Sequence, residues 1–444
     1  MLRHRIRCLV LAALAFTTNA SAQIEVAWWN AYDLPESFDG DSSTHSVAVT
    51  ATGGVVAAVR TNFSAASRFV RYGPSGAILG SVLAPAPYIF SKSLLAPSGE
   101  VYFAGVARPP AQGFMLVKLS SSGALLWSRA VPAATSFQRV EALFDANGDV
   151  ALVGVDSTLG RTLVRGFTAA GAATYSHDFD LGPASEAVQE ATLGANGEIV
   201  VVGSVDTRAM VAGLSTTTGQ LAWSEINAGA LALGAHYEAL ARGANGELAV
   251  AGNTTIAGSS DVWVTALDPS GVELWSAAID AGAGAAETVT DIEYSSDGAL
   301  WVSGFTFSSG QTVSFCLRFP AGASVPARRL WNSPPGVVWS QARRLVVGGP
   351  GQMWALADFL ELGAPIQVGA FQLDFDGSPR AELGASFDAG GAEKQLECAA
   401  LGPGQTVVVG GRSEDLPGGS SFFDPVSMVA KFDFSDAPRE YCQA

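Results

Sequence analysis

The sequence predicts an all-β protein, a single β-propeller built from four-stranded blades. Three observations support this fold class: a hairpin unit recurs at a nearly constant interval, each repeat contains two chain reversals, and the composition favours strands and turns. Of the 444 residues, 50 are Gly, 48% are hydrophobic and only 15% are charged. Such a composition is typical of strands connected by many tight turns.

The recurring unit is clearest in residues 290–306, TDIEYSSDGALWVSGFT, where a polar turn ending at Gly298 separates two apolar strands. Aligning this glycine with the rest of the chain finds seven related turns. Successive turn glycines lie 46 to 53 residues apart (99 − 53 = 46 and 404 − 351 = 53), an interval typical of propeller blades. The related glycines are Gly53, Gly99, Gly148, Gly197, Gly246, Gly351 and Gly404.

Each repeat contains two hairpins. Three of the first turns read Asn-Gly, as at Asn147-Gly148, which favours a two-residue turn with positive φ at both central positions. A second reversal follows, and in three repeats a Trp comes four residues after its Gly, as in Gly123 and Trp127. Two hairpins give four strands, the content of a propeller blade. We expect the Trp rings to fill the widening gaps between blades, the alternative being a platform for a sugar.

The blade count and the closure of the ring follow from the ends of the chain. Eight first turns predict eight blades, with a seven-bladed ring and one divergent repeat as the alternative. The last repeat stops after MVAKFDF, residues 428–434, without a full outer strand. The N-terminal stretch around Trp28 and Trp29 resembles such a strand and lacks a preceding turn. It is therefore predicted to complete the last blade and so remove an open sheet edge.

Residues 1–22 have the pattern of a cleaved signal peptide. A basic start is followed by the apolar run 8–16 and by a small-residue cleavage site that ends at Ala22. The run is too short to span a bilayer, and no later stretch is long enough. Because Gln23 and not Cys follows the cut, we expect a soluble exported protein, periplasmic or secreted, whose propeller domain occupies residues 23–444.

The net negative charge of the chain indicates which classes of partner it can bind. The formal net charge is −16, and removal of the three arginines in residues 1–22 leaves 22 basic against 41 acidic residues, or −19. Such a surface repels nucleic-acid phosphates and anionic lipid head groups. We therefore expect a monomer whose partner is a protein or a carbohydrate and not a nucleic acid.

Three cysteines remain after cleavage, namely Cys316, Cys398 and Cys442. None has the spacing of a metal site, so no metal is predicted. An odd number in an exported chain suggests one disulfide and one buried thiol. Since Cys398 and Cys442 both belong to the last repeat, they are the expected pair.

Two stretches of the chain resemble a known repeat. Asp291, Gly298 and Trp301 in the opening stretch, together with DVWVTALDPSGVELWS at residues 261–276, resemble the bacterial β-propeller repeat called SBBP. The similarity covers most of the mature chain and is strongest over residues 91–307. It implies an exported or surface protein of no known chemistry. The name of that repeat implies seven blades, whereas the turns of this sequence number eight.

A second stretch, TTTGQLAW at residues 216–223, resembles the propeller repeats of the pyrroloquinoline-quinone type. Dehydrogenases of that type hold the cofactor beneath an adjacent Cys-Cys pair, beside a carboxylate base and a calcium ion. This chain has no adjacent cysteines, so no cofactor is predicted. The non-enzymatic outer-membrane assembly propeller shares the repeat type but is a lipoprotein, and Gln23 argues against that.

No catalytic residue is predicted. The three histidines of the mature chain, His45, His177 and His236, lie in no metal-binding or catalytic-triad motif. The sequence therefore favours a non-enzymatic binding or scaffold module. The alternative is a hydrolase or lyase of an extracellular polymer whose residues come from several loops, because fold alone does not decide activity.

Charged residues recur seven positions before the turn glycines. We expect them to enter the propeller near the start of each innermost strand and to surround one mouth of the central channel. Two interpretations stay open: they accept N–H groups of neighbouring blades, or they form a ligand face that favours a cation. The residues are Lys92, Glu141, Glu190, Asp291, Arg344 and Glu397, with Glu238 one position out of register.

Overall fold

A computed structural model gives the architecture of this chain. It describes residues 25–32, 42–61, 67–85, 88–107, 112–133, 139–181, 186–206, 208–226, 235–256, 258–281, 285–308, 311–330, 337–347, 353–361, 366–373, 379–387, 394–402, 406–415 and 424–433. The signal-peptide prediction and Cys442 lie outside these ranges. No helix among these residues could cross a membrane.

The described residues form 32 strands in eight antiparallel four-stranded sheets, which confirms the predicted eight-bladed propeller. Strand β1 is Glu25–Tyr32. Blade 1 holds β2 Ser42–Val49, β3 Val55–Thr61, β4 Ser67–Tyr72 and β5 Ile78–Leu83. Blade 2 holds β6 Tyr88–Leu95, β7 Val101–Ala107, β8 Phe114–Leu119 and β9 Leu125–Val131. Blade 3 holds β10 Glu141–Phe144, β11 Val150–Asp156, β12 Arg161–Phe167 and β13 Ala173–Phe179.

The remaining blades repeat this order. Blade 4 holds β14 Glu186–Leu193, β15 Ile199–Val205, β16 Arg208–Leu214 and β17 Leu221–Ile226. Blade 5 holds β18 His236–Arg242, β19 Leu248–Ile256, β20 Ser259–Leu267 and β21 Glu273–Ile279. Blade 6 holds β22 Ala286–Tyr294, β23 Leu300–Ser308, β24 Gln311–Phe319 and β25 Ala327–Leu330. Blade 7 holds β26 Val337–Val347, β27 Met353–Glu361, β28 Ile366–Leu373 and β29 Pro379–Phe387. Blade 8 holds β30 Lys394–Gly402, β31 Thr406–Asp415 and β32 Asp424–Asp433.

The first strand of each repeat is innermost, and the innermost strands of successive blades contact one another around the ring. Strand β1 supplies the outer strand of blade 8. It pairs antiparallel with β32, so that Trp28 lies opposite Lys431 and Trp29 opposite Ala430. The predicted closure by the N-terminal segment is confirmed, and the hydrogen bonds of this pair leave blade 8 with four strands like the others.

The first turns of the blades differ from the prediction. In the turn after β10, the Gly148 N–H donates to the Asp145 carbonyl at 3.0 Å and the Asp145 N–H to the Asp149 carbonyl at 2.8 Å. Of the turn residues only Gly148 has a positive φ, 79°. This is a three-residue loop in which a tight turn is followed by a left-handed glycine, so the two-residue turn predicted for Asn-Gly was wrong. The Asp145 side chain stabilises the three-residue loop, since its Oδ1 atom accepts the N–H groups of Asn147 and Asp149.

The apolar core lies between adjacent blades. The two middle strands of each blade bury both faces; in β11 every residue from Val150 to Asp156 is buried. One cluster joins Val153 of blade 3 to Ile199 and Val201 of blade 4, all fully shielded from solvent. Burial of each such side chain contributes about 1.5–3 kcal/mol, so the blade-to-blade contact is the main source of stability.

The outer aromatic residues fill the space between blades, as predicted. Trp127 of blade 2 donates its Nε1–H to the Ala169 carbonyl of blade 3 at 3.1 Å. Its ring lies against Gly171, where a Cβ atom would come within 2.9 Å of the ring. In blade 3 the His177 Nε2 atom lies 2.8 Å from the Thr216 carbonyl oxygen of blade 4. A bulky ring thus bridges each of these two outer gaps.

The structure describes two of the three cysteines on which the disulfide prediction rests. Cys398 is a free, buried thiol in this structure, with Sγ 3.6 Å from the Thr44 carbonyl oxygen, and burial raises the pKa of this thiol. Cys316 is also free and buried. Because Cys442 lies outside the described residues, the Cys398–Cys442 disulfide stays a prediction. Mass mapping of the non-reduced protein should find the linked peptides, and two free thiols would contradict the pairing.

Closure of blade 8 makes a direct prediction. Deletion of residues 23–33 should lower the free energy of unfolding by several kcal/mol, because β32 loses its hydrogen-bonded partner and becomes an open sheet edge. Urea denaturation of the truncated and mature proteins measures the difference. The matched control removes only residues 1–22. An unchanged unfolding midpoint and a monodisperse truncated protein would contradict the role of β1.

Candidate functional site

All seven predicted charged residues lie on the innermost strands of their blades. Lys92 and Glu190 are each the fifth residue of an eight-residue strand, and Asp291 is the sixth of nine. These three therefore lie about halfway along their strands, whereas Glu141 is the first residue of β10. That the charged residues form a ligand face at one mouth of the channel stays a prediction.

The innermost strands of most blades contain a β-bulge close to the charged residue. Seven of the eight innermost strands shift register by one residue against the next strand, and Lys92, Glu190 and Asp291 each resume the pairing directly after the shift. In blade 8 the shift lies between Leu396 and Cys398, so that Glu397 is the bulged residue. A bulge locally twists its strand and redirects side chains.

The bulged residues form a second set of charges. Glu238 is bulged like Glu397, since the shift in blade 5 lies between Tyr237 and Ala239. Glu238 contacts His236 at 3.1 Å and the Arg139 guanidinium at 3.7 Å. Glu397 Oε2 lies 2.5 Å from His45 Nδ1. Glu238 is therefore held by His236 of its own blade and by Arg139, which precedes blade 3, and Glu397 by His45 of the adjacent blade 1.

Two ion pairs join neighbouring blades inside the channel. Lys92 Nζ of blade 2 lies 2.6 Å from Glu141 Oε2 of blade 3. Arg344 Nη1 of blade 7 lies 3.7 Å from Asp291 Oδ1 of blade 6. Glu141 and Asp291 are almost fully buried, whereas 31% of the Lys92 side chain and 46% of the Arg344 side chain are exposed. The two cationic side chains therefore reach into the channel lumen, and the buried acids with which they pair lie in its wall.

Carboxylates also accept backbone N–H groups across blade boundaries. Glu190 Oε2 of blade 4 accepts the Leu240 N–H of blade 5 at 2.9 Å. Asp291 Oδ2 of blade 6 accepts the Leu345 N–H of blade 7 at 2.7 Å. This is the contact expected if the acids hold the ring together, since a charged acceptor makes a stronger hydrogen bond than a neutral one.

Sequence reasoning missed a third contact of this kind. Asp358, on the second strand of blade 7, accepts the Leu396 N–H of blade 8 at 2.8 Å and the Arg343 Nε–H at 2.9 Å. It lies on a different strand from the predicted ring, so the offset from the turn glycine does not find it. The available signal was an acid between apolar residues in the middle of the strand MWALADFLE, which has its other acid, Glu361, at the end.

Charges from opposite blades act on one another across the lumen. Asp291 first, and then Glu190 and Glu141, raise the pKa of Arg344, although Glu141 belongs to the opposite side of the eight-bladed ring. Burial lowers the pKa of Lys92, but Glu141 and Glu190 outweigh it, so that the net shift is upward.

Six charged side chains among the described residues influence one another in the channel. Four carboxylates (Glu141, Glu190, Asp291 and Glu293) face Lys92 and Arg344. Burial raises the pKa of Asp291 to about 6, although Arg344 opposes the shift. Burial, with Asp291 and Glu190 adding to it, raises the pKa of Glu293 to about 8. The excess of acid is therefore partly protonated near neutral pH, and a cationic group in the lumen would favour its ionisation.

A separate group of acids joins blades 5 and 6 outside the predicted ring. Carboxylate oxygens of Asp261, Asp280 and Glu287 all lie within 4.8 Å of one another, with Asp261 and Glu287 buried and Asp280 exposed. At the corresponding place between blades 3 and 4, Arg161 Nη2 lies 3.9 Å from Asp180. Asp261 lies on β20, Asp280 directly follows β21 and Glu287 lies on β22, so no contiguous sequence motif predicts this group.

Comparisons with known proteins extend these observations. A family model described as outer membrane protein assembly factor BamB matches residues 115–357, more than half of the chain. This agrees with the resemblance to pyrroloquinoline-quinone-type repeats and does not single out the SBBP repeat. No curated protein matches the chain.

Solved structures share the fold at low sequence identity. A Dos1 propeller is 10% identical, with a TM-score of 0.52 over 92% of this chain and 96% of that one. Sqt1 from Chaetomium thermophilum is 14% identical, with a TM-score of 0.52 over 90% of this chain and 99% of that one. The polysaccharide lyase PL25-Ulvanlyase is 9% identical, with a TM-score of 0.49 over 87% and 94%. At these identities the likeness concerns the fold alone.

The blade-to-blade hydrogen bond of Asp291 makes a stability prediction. Asp291→Ala should lower the free energy of unfolding by about 1–3 kcal/mol, because the buried Leu345 N–H loses its acceptor. Asp291→Asn keeps an oxygen at that place and should cost clearly less. Urea denaturation of both variants measures the two effects. Equal losses would contradict the hydrogen-bonding role.

Glu293 makes a prediction about pH. Between its ordinary pKa of 4.5 and its raised value of about 8, the folded state holds a proton that the unfolded state has lost. The free energy of unfolding should therefore fall as the pH rises through this window. We expect the melting temperature of Glu293→Gln to fall by a few degrees less than that of the wild type between about pH 5 and about pH 8.

The control for this experiment is Glu273→Gln, which neutralises an exposed acid on the outer strand of blade 5. Calorimetry of the three proteins at each pH separates the effects. Parallel pH profiles for Glu293→Gln and the wild type would contradict a raised pKa at Glu293.

Proposed function

The chain belongs to the family of the outer membrane protein assembly factor BamB, and from this we propose that it is an exported, non-enzymatic β-propeller that binds or scaffolds a protein or carbohydrate ligand. The signal-peptide pattern of residues 1–22 supports export, to the periplasm or beyond the cell. With Gln23 after the cut, we propose a soluble form and not a lipid-anchored one.

This proposal rests on the contacts that the acidic side chains of the channel make with neighbouring blades. Glu190 and Asp291 accept N–H groups of the next blade, and Glu141 pairs with Lys92. A general acid or base must be able to reach a substrate proton, and an acid engaged in a structural contact is poorly placed to do so. The acids therefore favour a scaffold over a catalyst.

The channel is the proposed ligand face. Its four carboxylates exceed its two cations, and the Arg344 and Lys92 side chains are partly exposed to solvent. A lumen with this balance attracts a cation or a basic side chain of a partner. We accordingly propose that a positively charged group of the ligand enters the channel.

The competing proposal is a hydrolase or lyase acting on an extracellular polymer. Propeller enzymes can assemble their catalytic residues from several loops, so such an activity needs no contiguous motif. The raised pKa of Glu293, about 8, is a feature that such an enzyme could use in a general acid.

A screen of the purified mature protein against polysaccharides, with binding and turnover measured separately, distinguishes the two functions. Binding without new reducing ends or unsaturated products supports the scaffold. Release of products that increases with protein concentration would overturn it in favour of the enzyme.

A second experiment tests the channel as ligand face. The triple variant Glu141→Gln, Glu190→Gln and Asp291→Asn should weaken binding of a trilysine peptide at least about tenfold, since the lumen loses most of its negative charge. The control neutralises Glu225 and Glu273 on outer strands and should bind as the wild type does. Unchanged binding by a folded triple variant would contradict the ligand face, and a large loss of stability alone would leave these acids as structural contacts between blades.

A further inference from the structure

Three first turns of the propeller share one local sequence, Ala-Asn-Gly followed by an acid. They are residues 146–149 of blade 3, 195–198 of blade 4 and 244–247 of blade 5. An Asn-Gly pair can lose ammonia, because glycine has no side chain to hinder attack of its backbone nitrogen on the asparagine amide carbon. Since the three local sequences match, a difference in their reactivity comes from the fold.

The surroundings of the turn glycine differ among these blades. Gly246 is buried, Gly197 is half-buried and Gly148 is exposed. A Cβ atom at Gly197 would lie 3.2 Å from the Cβ of Ala146, and one at Gly246 would lie 2.7 Å from the Cβ of Ala195. An alanine of the preceding turn therefore covers each of these two glycines. A Cβ atom at Gly148 would meet no described atom within 4 Å beyond its chain neighbours, so this turn has no such cover.

The asparagine side chains differ as well. The Asn196 Nδ2–H donates to the Pro269 carbonyl, in the second turn of blade 5, at 3.1 Å. This bond holds the amide of Asn196 against the neighbouring blade. Asn147 is exposed, and its backbone N–H, not its side chain, is bound by Asp145 Oδ1 at 2.8 Å. The Asn147 amide can therefore turn towards the nitrogen of Gly148.

The backbone of the blade 3 turn allows the reacting peptide to rotate. Asp145 Oδ1 accepts the N–H groups of Asn147 and Asp149, which lie on either side of the peptide between Asn147 and Gly148. That peptide itself contributes the Gly148 N–H, which donates to the Asp145 carbonyl at 3.0 Å. Its rotation breaks this one bond and leaves both carboxylate bonds in place. Gly148, with a φ of 79°, accepts the new backbone angles because it has no Cβ atom.

We propose that Asn147 is a site of spontaneous covalent modification, deamidation through a cyclic imide. The Gly148 nitrogen attacks Asn147 Cγ and forms a new C–N bond. The bond from Cγ to the amide nitrogen breaks, and that nitrogen leaves as ammonia with the proton of the Gly148 N–H. Solvent water then opens the imide at either of its two carbonyl carbons, which leaves aspartate or isoaspartate at this position. The reaction transfers no electrons to or from another molecule.

The modification changes the loop that joins β10 to β11. Either product places a negative charge between Asp145 and Asp149, two acids that the loop already contains. In the isoaspartate form the main chain runs through the former side chain and is one atom longer. The three-residue loop then no longer fits the register of the hairpin. Because β10 also carries Glu141, the damage affects an innermost strand of the channel.

Peptide mapping by mass spectrometry tests the proposal on folded protein kept in mildly alkaline buffer, and it measures all three sites in one sample. We expect Asn147 to react at least about fivefold faster than Asn196, the factor that corresponds to one net hydrogen bond. Asn245 should also react more slowly than Asn147, since its glycine is covered. In protein unfolded by urea the three sites should react at similar rates, which controls for the local sequence.

A single variant tests whether the cover is the cause. Ala195→Gly removes the methyl group next to Gly246, so it should raise the rate at Asn245 and leave the rate at Asn147 unchanged. An Asn245 rate that stays the same in this variant would contradict the role of the cover. Equal rates at the three sites of the folded wild type, or an Asn147 that stays intact while another site reacts, would overturn the proposal.

Discussion

The antiparallel pairing of β1 with β32 is the contact on which the rest of the ring depends. Every other blade is made from one continuous stretch of chain, so its strands are neighbours in sequence and pair through short turns. Blade 8 alone joins the two ends of the described chain. Without this pair, blade 8 would expose an edge and the ring would have a free end from which strands could separate one blade at a time. With it, the apolar surfaces between all eight blades are fixed at once, and the innermost strands are held close enough for charges from opposite blades to interact.

That closeness explains why the channel combines structural and electrostatic roles. Asp291 holds the Leu345 N–H of the next blade and also faces Arg344 and Glu190. The hydrogen bond of such a carboxylate stabilises the contact between blades. Its buried charge has the opposite effect and lowers the stability of the folded ring. Burial first, and the neighbouring acids second, raise the pKa values of Asp291 and Glu293, and protonation relieves both costs. A ligand cation would relieve it in the same way, so the structural and binding interpretations of these acids are compatible.

Much of the architecture could be predicted because short local sequence patterns identify each repeat. Glycine spacing, apolar alternation and the missing last strand were enough for the blade count and the closure. The first turn was misjudged because Asn-Gly suits several hairpin loops, and the Asp145 carboxylate selects a three-residue one. The offset from the turn selects charged residues that all lie on innermost strands, but β-bulges, which no sequence pattern marks, place Glu238 and Glu397 out of register with the others. Contacts between distant strands, such as those of Asp358 and of the Asp261, Asp280 and Glu287 group, depend on how blades meet, so spacing along the chain does not predict them.

The place of β1 has a consequence for the order of folding during synthesis. The first described strand pairs with the last one, Asp424–Asp433. The ring therefore cannot close while the chain is still being made, because the partner of its first strand does not yet exist. Individual hairpins can form and melt earlier, but the closed, cooperative ring arises only after the C-terminal repeat has left the ribosome.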